Sequence, residues 1–397
     1  MNFDLSPEDR TLMERLDVFC DKYLYEENIQ KWLVDGGVPD EFMSAYFQEG
    51  FAQIGLPEKL GGVPASILTE VLMLELIGRR AGAVLPVQSK QGVLTFAGLA
   101  SEEQLELVKG SIAQTGKCGL SFAVSEPQSG SATFAVDTTV VEEDDYFVMN
   151  GAKSFVSSGQ YAPYTLVLAH DKALDDAYTG KGRPLTFFLV PLALQGVDTI
   201  PVEKIGWRLS PSAEIIFNDV RLRKESVVGS RGEAGVAMLN GFERGRTYTA
   251  ATTIGMAEAA LDEAAFFCCK HKINGKPMIE LQAIQELLTD MQVKVDAMRA
   301  LLYKTACDLD LSSQDSRVNT AVLKRYAPLA ATEVADSAMQ ILGRQGFVKT
   351  SKVARIWAEC RGSRLAEGTD QIMSIVAGKR IAARAERERL NRPAWRF

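Results

Sequence analysis

Two stretches of this 397-residue chain combine residue types that can do chemistry. Residues 366–373 read Ala-Glu-Gly-Thr-Asp-Gln-Ile-Met. Gly368 lets the chain bend sharply, and Thr369 or Asp370 can cap a helix that follows. Glu367 then projects just ahead of a helix N-terminus. A carboxylate there can act as a general base, and the same residues also describe a solvated Glu helped by the helix dipole. Residues 122–131 read Phe-Ala-Val-Ser-Glu-Pro-Gln-Ser-Gly-Ser. An apolar run enters a Pro/Gly turn dense in hydroxyls and backbone N–H groups. Such a turn can clamp a polar ring edge or a phosphate, or it is a plain strand and turn.

Other chemistries lack their residues. No glycine-rich dinucleotide or P-loop fingerprint occurs, and G-x-S-x-G is absent. With two His and six Cys, none of the latter in a C-x-x-C pair, a transition-metal site is not expected. The cysteines read as free thiols in a reducing compartment. Hydride chemistry would need a bound cofactor, because side chains alone transfer hydride poorly.

The elements that must position these stretches change texture twice. Ser6-Pro7-Glu8-Asp9 starts a helix, and Leu12, Leu16, Phe19 and Cys20 recur at helical spacing. Residues 42–51, 66–80 and 102–109 are also helical in pattern. Near Gly119 short β-rich runs begin: 120–124, 138–141, 146–149, 165–169, 185–191 and 214–217. Asp144-Asp145 and Asn150-Gly151 are expected as turns between them. Amphipathic segments 236–271, 279–310, 316–342 and 369–392 then predict a bundle. The expected class is α+β: an N-terminal α-helical domain (1–118), a middle β-barrel-like domain (119–232) and a C-terminal four-helix bundle (233–397).

Composition is that of an ordinary globular protein, 46% hydrophobic and 24% charged. The net charge of −7 gives no basic surplus for nucleic acid. No window of about 20 uncharged apolar residues exists to span a membrane. The N-terminus lacks a basic segment followed by an apolar run, so a cytoplasmic protein is expected.

Five segments in register resemble one family, the acyl-CoA dehydrogenases. They are residues 122–131, residues 150–157 (Asn-Gly-Ala-Lys-Ser-Phe-Val-Ser), Glu203-Lys204-Ile205-Gly206 with Phe217-Asn218-Asp219-Val220, residues 340–346 (Gln-Ile-Leu-Gly-Arg-Gln-Gly), and residues 366–372. The resemblance covers nearly the whole chain. It implies two helical domains flanking a β-domain, assembly as a homotetramer or homodimer, FAD as cofactor, acyl-CoA as substrate and an electron-transferring flavoprotein as redox partner.

Residue by residue, the resemblance implies that Phe122, Val124 and Ser125 lie along the flavin, with Phe155 and Ser157 flanking it. Gln340 and Gly343 match contacts to a neighbouring subunit's FAD, and Thr369 and Gln371 match contacts to its phosphates and adenosine end. Glu243 and Arg246 match contacts to the pantetheine arm. Ser131, Gln88 and Gly368 fall on the substrate side. Glu367 matches the base that removes the α-proton while the β-hydride passes to flavin N5. The α-anion of a thioester needs its carbonyl oxygen hydrogen-bonded as charge develops. Some members carry the base just before the Arg of a Phe-Asp-x-x-Arg motif. Here that position is Gly245, so Glu367 is the carboxylate at either known place.

Departures from the pattern are specific. His271 and Asn274 replace the Arg and Phe of a segment that reaches a neighbour's FAD pyrophosphate, and His is mostly neutral at pH 7. Lys270, Lys272 or Arg344 would have to supply the charge. Ala366 replaces an aromatic residue, and Ala132 an Asp. The acyl-pocket loop carries Gln88, Ser89, Lys90 and Gln91, which favours a short or polar acyl group. Ala81-Gly82-Ala83 lacks the Arg expected of a glutaryl-CoA dehydrogenase. Parts of the chain resemble the crotonobetainyl-CoA reductase group, which has Glu where this chain has Gly245. Two other readings stand beside dehydrogenation: an enoyl-CoA reductase running the reverse reaction, and a non-catalytic binding protein of the same fold.

Overall fold

The computed structural model describes residues 5–88, 90–115, 119–180 and 182–391. Cys118 and Ser89 lie outside them, and for Gln88 only the backbone is described. Helices α1 (Pro7–Tyr23), α2 (Glu26–Asp35), α3 (Asp40–Gln48), α4 (Ile67–Ala81), α5 (Gln91–Ala97) and α6 (Glu102–Thr115) come first. Strands β1 (Leu120–Ala123), β2 (Thr139–Glu142), β3 (Tyr146–Ser157), β4 (Tyr164–Asp171), β5 (Leu185–Pro191), β6 (Val197–Val202), β7 (Ser212–Arg223) and β8 (Val227–Val228) follow. Then come α7 (Ala234–Lys270), the two-residue strands β9 (Lys272–Ile273) and β10 (Lys276–Pro277), α8 (Gln282–Asp310), α9 (Ser316–Leu342), α10 (Lys352–Ser363) and α11 (Asp370–Asn391).

These elements form two compact units. One holds Arg10–Ser66 and Val84–Gly245, the other Met1–Asp9, Ile67–Ala83 and Arg246–Phe397.

In the unit that carries the sheet, the strand path is β6-β7-β3-β2-β4-β5-β8. β1 and β2 both run parallel to β4, one after the other along the same side. β1 pairs with Tyr164 to Val167 and β2 with His170 and Asp171. β4 and β5 are buried along nearly their whole length, which explains the apolar runs at their centres, residues 166–169 and 187–190. Leu166, Leu168, Phe187 and Leu189 join Val93, Phe96, Leu105 and Val108 of α5 and α6 in one core. Val167, Ala169, Phe188 and Val190 alternate into a second core with Phe147, Met149, Val156, Ile215 and Phe217. Phe19, Trp32, Phe42, Tyr46 and Phe51 pack as an aromatic cluster with ring centroids 5.2–6.2 Å apart.

One expected turn is corrected. Asn150-Gly151 does not separate strands; it lies inside the 12-residue β3, at a register shift against β7 between Met149 and Gly151. Gly151 has φ +145°, and a Cβ there would stand 2.6 Å from Thr138. Asn150 spends its side chain on Asp219, donating from Nδ2 at 2.9 Å and accepting the Asp219 N–H at 2.9 Å. The pair therefore makes a bulge that continues the strand.

In the other unit α4 is buried on nearly all sides, from Ile67 and Val71 to Ile77 and Ala81. Its ends are closed by distant side chains. Asp310, at the end of α8, accepts the N–H of Ile67 at 2.7 Å and of Leu68 at 3.2 Å. Arg355 of α10 donates to the carbonyls of Gly82 (3.2 Å) and Ala81 (3.4 Å). Both groups complement the helix dipole. Midway, Glu75 accepts from Arg299 at 2.6 Å and Tyr303 at 2.8 Å, tying α4 to α8. Asp310→Ala orphans two N–H groups and should lower the unfolding free energy by about 1–2 kcal/mol in a urea titration. A change within a few tenths of a kcal/mol would show that water replaces the cap.

Candidate functional site

The turn that carries Glu367 is built from its backbone outward. After α10 the chain reverses, Glu367 takes φ +55° and Gly368 φ +100°. A left-handed Glu is disfavoured by roughly 1–2 kcal/mol, so neighbours must hold it. Gly368 suits the turn because φ +100° strains any L side chain; the Met373 Cε that a Cβ would meet at 2.7 Å is the end of a flexible chain and could shift. The cap is Thr369, whose Oγ1 accepts the N–H of Ile372 at 3.3 Å, and α11 starts at Asp370. Asp370 is not the cap. It binds Arg364, Nε at 2.8 Å and Nη2 at 2.6 Å, both to Oδ2.

Two cations hold the carbonyls of the turn. Arg246 of α7 donates Nε to the Glu367 carbonyl at 3.1 Å. Lys324 of α9 donates Nζ to the Gly368 carbonyl at 3.2 Å. Arg246 is thus anchored to the backbone of the residue expected as base, in addition to the pantetheine role the sequence implies. Glu367 is half-buried. Burial pushes its carboxyl above the ordinary carboxylate value, and the charges of Arg246 and Lys324 pull it back. A carboxylate raised in this way is better matched to accepting a proton near neutral pH.

In the sheet-bearing unit, β1 leads into the second stretch. Phe122 is half-buried and lies 5.8 Å from the Phe187 ring, Val124 is buried, Ser125 is half-buried and Ser131 exposed. The strand is fastened to β3 from beneath. Ser154 N–H donates to the Ser125 carbonyl at 2.9 Å. Lys153, fully buried, donates to the Val124 carbonyl at 3.2 Å and to Glu126 Oε1 at 2.7 Å. Glu126 also accepts the N–H groups of Asp137 (2.7 Å) and Thr138 (2.9 Å). Burial alone would raise this carboxyl; Lys153 and the hydrogen bonds overcome it and hold it below the usual carboxylate range.

Next to Lys153 and Ser154, Phe155 has φ +53° and stands 64% exposed, at a second register shift in β3. An aromatic face held outward in a strained conformation can stack on a planar ring. Ser157, half-buried, ends the strand. On α5, Gln91 is buried and Thr95 Oγ1 is buried with no hydrogen-bond partner among the described residues.

The remaining expected residues are spread over several elements. Gln340 and Gly343 close α9, Gly343 with φ +56°. Gln371 is exposed on the first turn of α11, and Glu243 is half-buried on α7. Gln88 ends the short 3-10 turn Pro86–Gln88. His271 is exposed and stacks on Phe267, centroids 4.9 Å apart. Lys270 lies over the Phe266 ring at 4.1 Å.

The structure therefore brings Glu367, Gly368, Thr369 and Arg246 together in one unit, and Phe122, Val124, Ser125 and Phe155 around Lys153 in the other. Sequence reasoning missed Lys324, Lys153, Arg364 and Thr95. Lys324 carried a signal: three residues to either side are Ala321 and Ala327, both buried in the same helical stripe. No described helix is long and apolar enough to cross a membrane.

Comparisons with known proteins cover the same ground. Residues 6–114, 121–220 and 234–382 match the family models for the N-terminal, middle and C-terminal domains of acyl-CoA dehydrogenases. A "Probable acyl-CoA dehydrogenase YdiO" of Escherichia coli K12 is 31% identical over 381 residues, 96% of this chain and 98% of that protein. The crystal structure of an acyl-CoA dehydrogenase from Slackia heliotrinireducens superposes with TM-score 0.84 at 32% identity, covering 97% of this chain and 99% of the other. Butyryl-CoA dehydrogenase from Megasphaera elsdenii gives TM-score 0.87 at 25% identity, over 96% and 100%.

Proposed function

Because this chain belongs to the acyl-CoA dehydrogenase family, we propose that it catalyses FAD-dependent α,β-dehydrogenation of a short or polar acyl-CoA, with Glu367 as the base. The family places it among oxidoreductases that act on acyl-CoA. The observation that carries the finer reading is the Glu367 turn: a strained, half-buried carboxylate with a raised titration point, its backbone held by two cations.

The residues present fit a flavin. Phe155 offers an exposed aromatic face, and the half-buried Ser125 and Ser157 offer hydroxyls. The segment after β1 that carries Val124 and Ser125 is fixed by Lys153 and Ser154, so these groups are preorganised. When bound, the flavin supplies the two-electron acceptor for the β-hydride. The chain's own part is to take the α-proton onto the Glu367 carboxylate and to keep that carboxylate in place. Arg246 and Lys324 do the second task through the carbonyls of the turn. Buried Gln91 and the unpartnered Thr95 hydroxyl support a polar acyl group, because an unmet buried hydroxyl favours a ligand that satisfies it. In the same reading an electron-transferring flavoprotein removes the electrons. Self-association as a homotetramer or homodimer belongs to the same reading.

The test begins with the absorption spectrum of the purified protein supplied with FAD. Acyl-CoAs of varied length and polarity are then added without oxygen. Short or polar thioesters are expected to bleach the flavin band. A protein that stays colourless with FAD, or a band that no thioester bleaches, would remove the proposal and favour a binding protein of this fold. Adding enoyl-CoA to the reduced protein reads the reverse direction on the same sample.

A further inference from the structure

Lys324 is a buried charge that the proton transfer itself does not use. Its side chain is fully buried (0% exposed), in the stripe of α9 that also buries Ala321, Leu323 and Ala327. An ammonium in such a place is costly unless partners compensate it. Its hydrogen bond goes to the carbonyl of Gly368, one residue past Glu367. Four other charges face this region. Glu367 and Asp370 favour the ammonium, while Arg246 and Arg364 oppose it. Arg364 holds Asp370, and Arg246 Nε holds the Glu367 carbonyl.

We propose that Lys324 is a positioning residue for Glu367: it anchors the turn through the Gly368 carbonyl and adds to the charge of Arg246 in favouring the ionised Glu367 carboxylate, without touching the reacting atoms. This rests on the reading of Glu367 as the base and deepens it. The geometry separates two duties. The hydrogen bond restrains the backbone, where Glu367 and Gly368 both have positive φ. The charge offsets the burial that would otherwise protonate the carboxyl. Burial lowers the lysine itself to about 8, so it still carries its charge at neutral pH.

The two duties are separable by substitution. Lys324→Gln keeps an N–H donor, one bond shorter, and loses the charge; Lys324→Met loses both. Two readouts are needed. Infrared difference spectra of wild type against Glu367→Gln isolate the Glu367 carboxyl band and follow its titration, with no need of turnover. The pH dependence of flavin bleaching by an acyl-CoA reports the same group in action. In both variants the Glu367 titration should move to higher pH by about one unit, which slows bleaching roughly tenfold at any pH below it. Lys324→Met should lose further rate above that pH, where Lys324→Gln recovers.

A folded, flavin-loaded variant of either kind with an unmoved carboxyl titration overturns the proposal. So does failure of both variants to fold while Glu367→Gln folds, since the lysine would then be structural. If instead Glu367→Gln bleaches like wild type, the assignment of the base fails, and the infrared titration still decides what Lys324 does to the carboxyl.

Discussion

Glu367→Gln is expected to take up FAD and acyl-CoA normally and to bleach its flavin about 10²–10⁴-fold more slowly than wild type. Gln has the shape of Glu and the same backbone demands, so φ +55° at this position costs it no more. The Arg246 and Lys324 hydrogen bonds to backbone carbonyls survive the change. What is lost is the carboxylate charge, and with it the proton acceptor. The pH dependence gives a second signature. The base works when deprotonated, so the wild-type rate should rise with pH through the raised value of the Glu367 carboxyl and level off above it. That rise should vanish in Glu367→Gln. Glu367→Asp should fall between, because the charge remains but stands one methylene short. Anaerobic stopped-flow bleaching measures all three. Near wild-type rates in Glu367→Gln would mean that another group takes the α-proton.

The residues of the two stretches were unequally legible in the sequence. The turn that carries Glu367 was readable because local rules mark it: a Gly to turn on, a Thr to cap, and a helix after them. The cap resolved to Thr369 because Asp370 is drawn away by Arg364, six residues earlier on the other side of the turn. That competition is tertiary and leaves no local pattern. The capping of α4 by Asp310 and Arg355 was illegible for the same reason, since more than 240 residues separate the partners. β3 misled for a different one. Asn-Gly is a strong hairpin signal, but here the Asn side chain finds Asp219 and the Gly fits against Thr138, so the strand runs on. Through that continuation Lys153 and Ser154 reach the segment after β1 that carries Val124 and Ser125. The long helices were readable to within a few residues because their apolar period is sustained, as in residues 316–342, which coincide with α9.

The largest effect on stability is expected from Lys153→Met. Lys153 and Glu126 form an ion pair at 2.7 Å with side chains 0% and 1% exposed. Removing one partner of a buried pair leaves an uncompensated charge and costs about 3–5 kcal/mol. The loss is not confined to folding, because Lys153 also holds the Val124 carbonyl. FAD retention should weaken along with stability.

The pH dependence fixes the cause. In wild type the Glu126 carboxyl titrates below its unfolded value, so its contribution is complete above that value and is lost as pH falls through the folded one. Without Lys153, burial is no longer outweighed and the folded value rises. Protonation of Glu126 then relieves the variant, and the stability gap between the two proteins should narrow as pH falls from 7 toward 4. Glu126→Gln in the Lys153→Met background should recover part of the loss at pH 7, because the amide leaves no uncompensated charge, although its single carbonyl oxygen accepts only one of the N–H groups that Asp137 and Thr138 give to separate oxygens of the carboxylate. Urea titrations of the three proteins at both pH values measure this. A gap that stays constant with pH would assign the lysine's effect to packing and refute the charge argument.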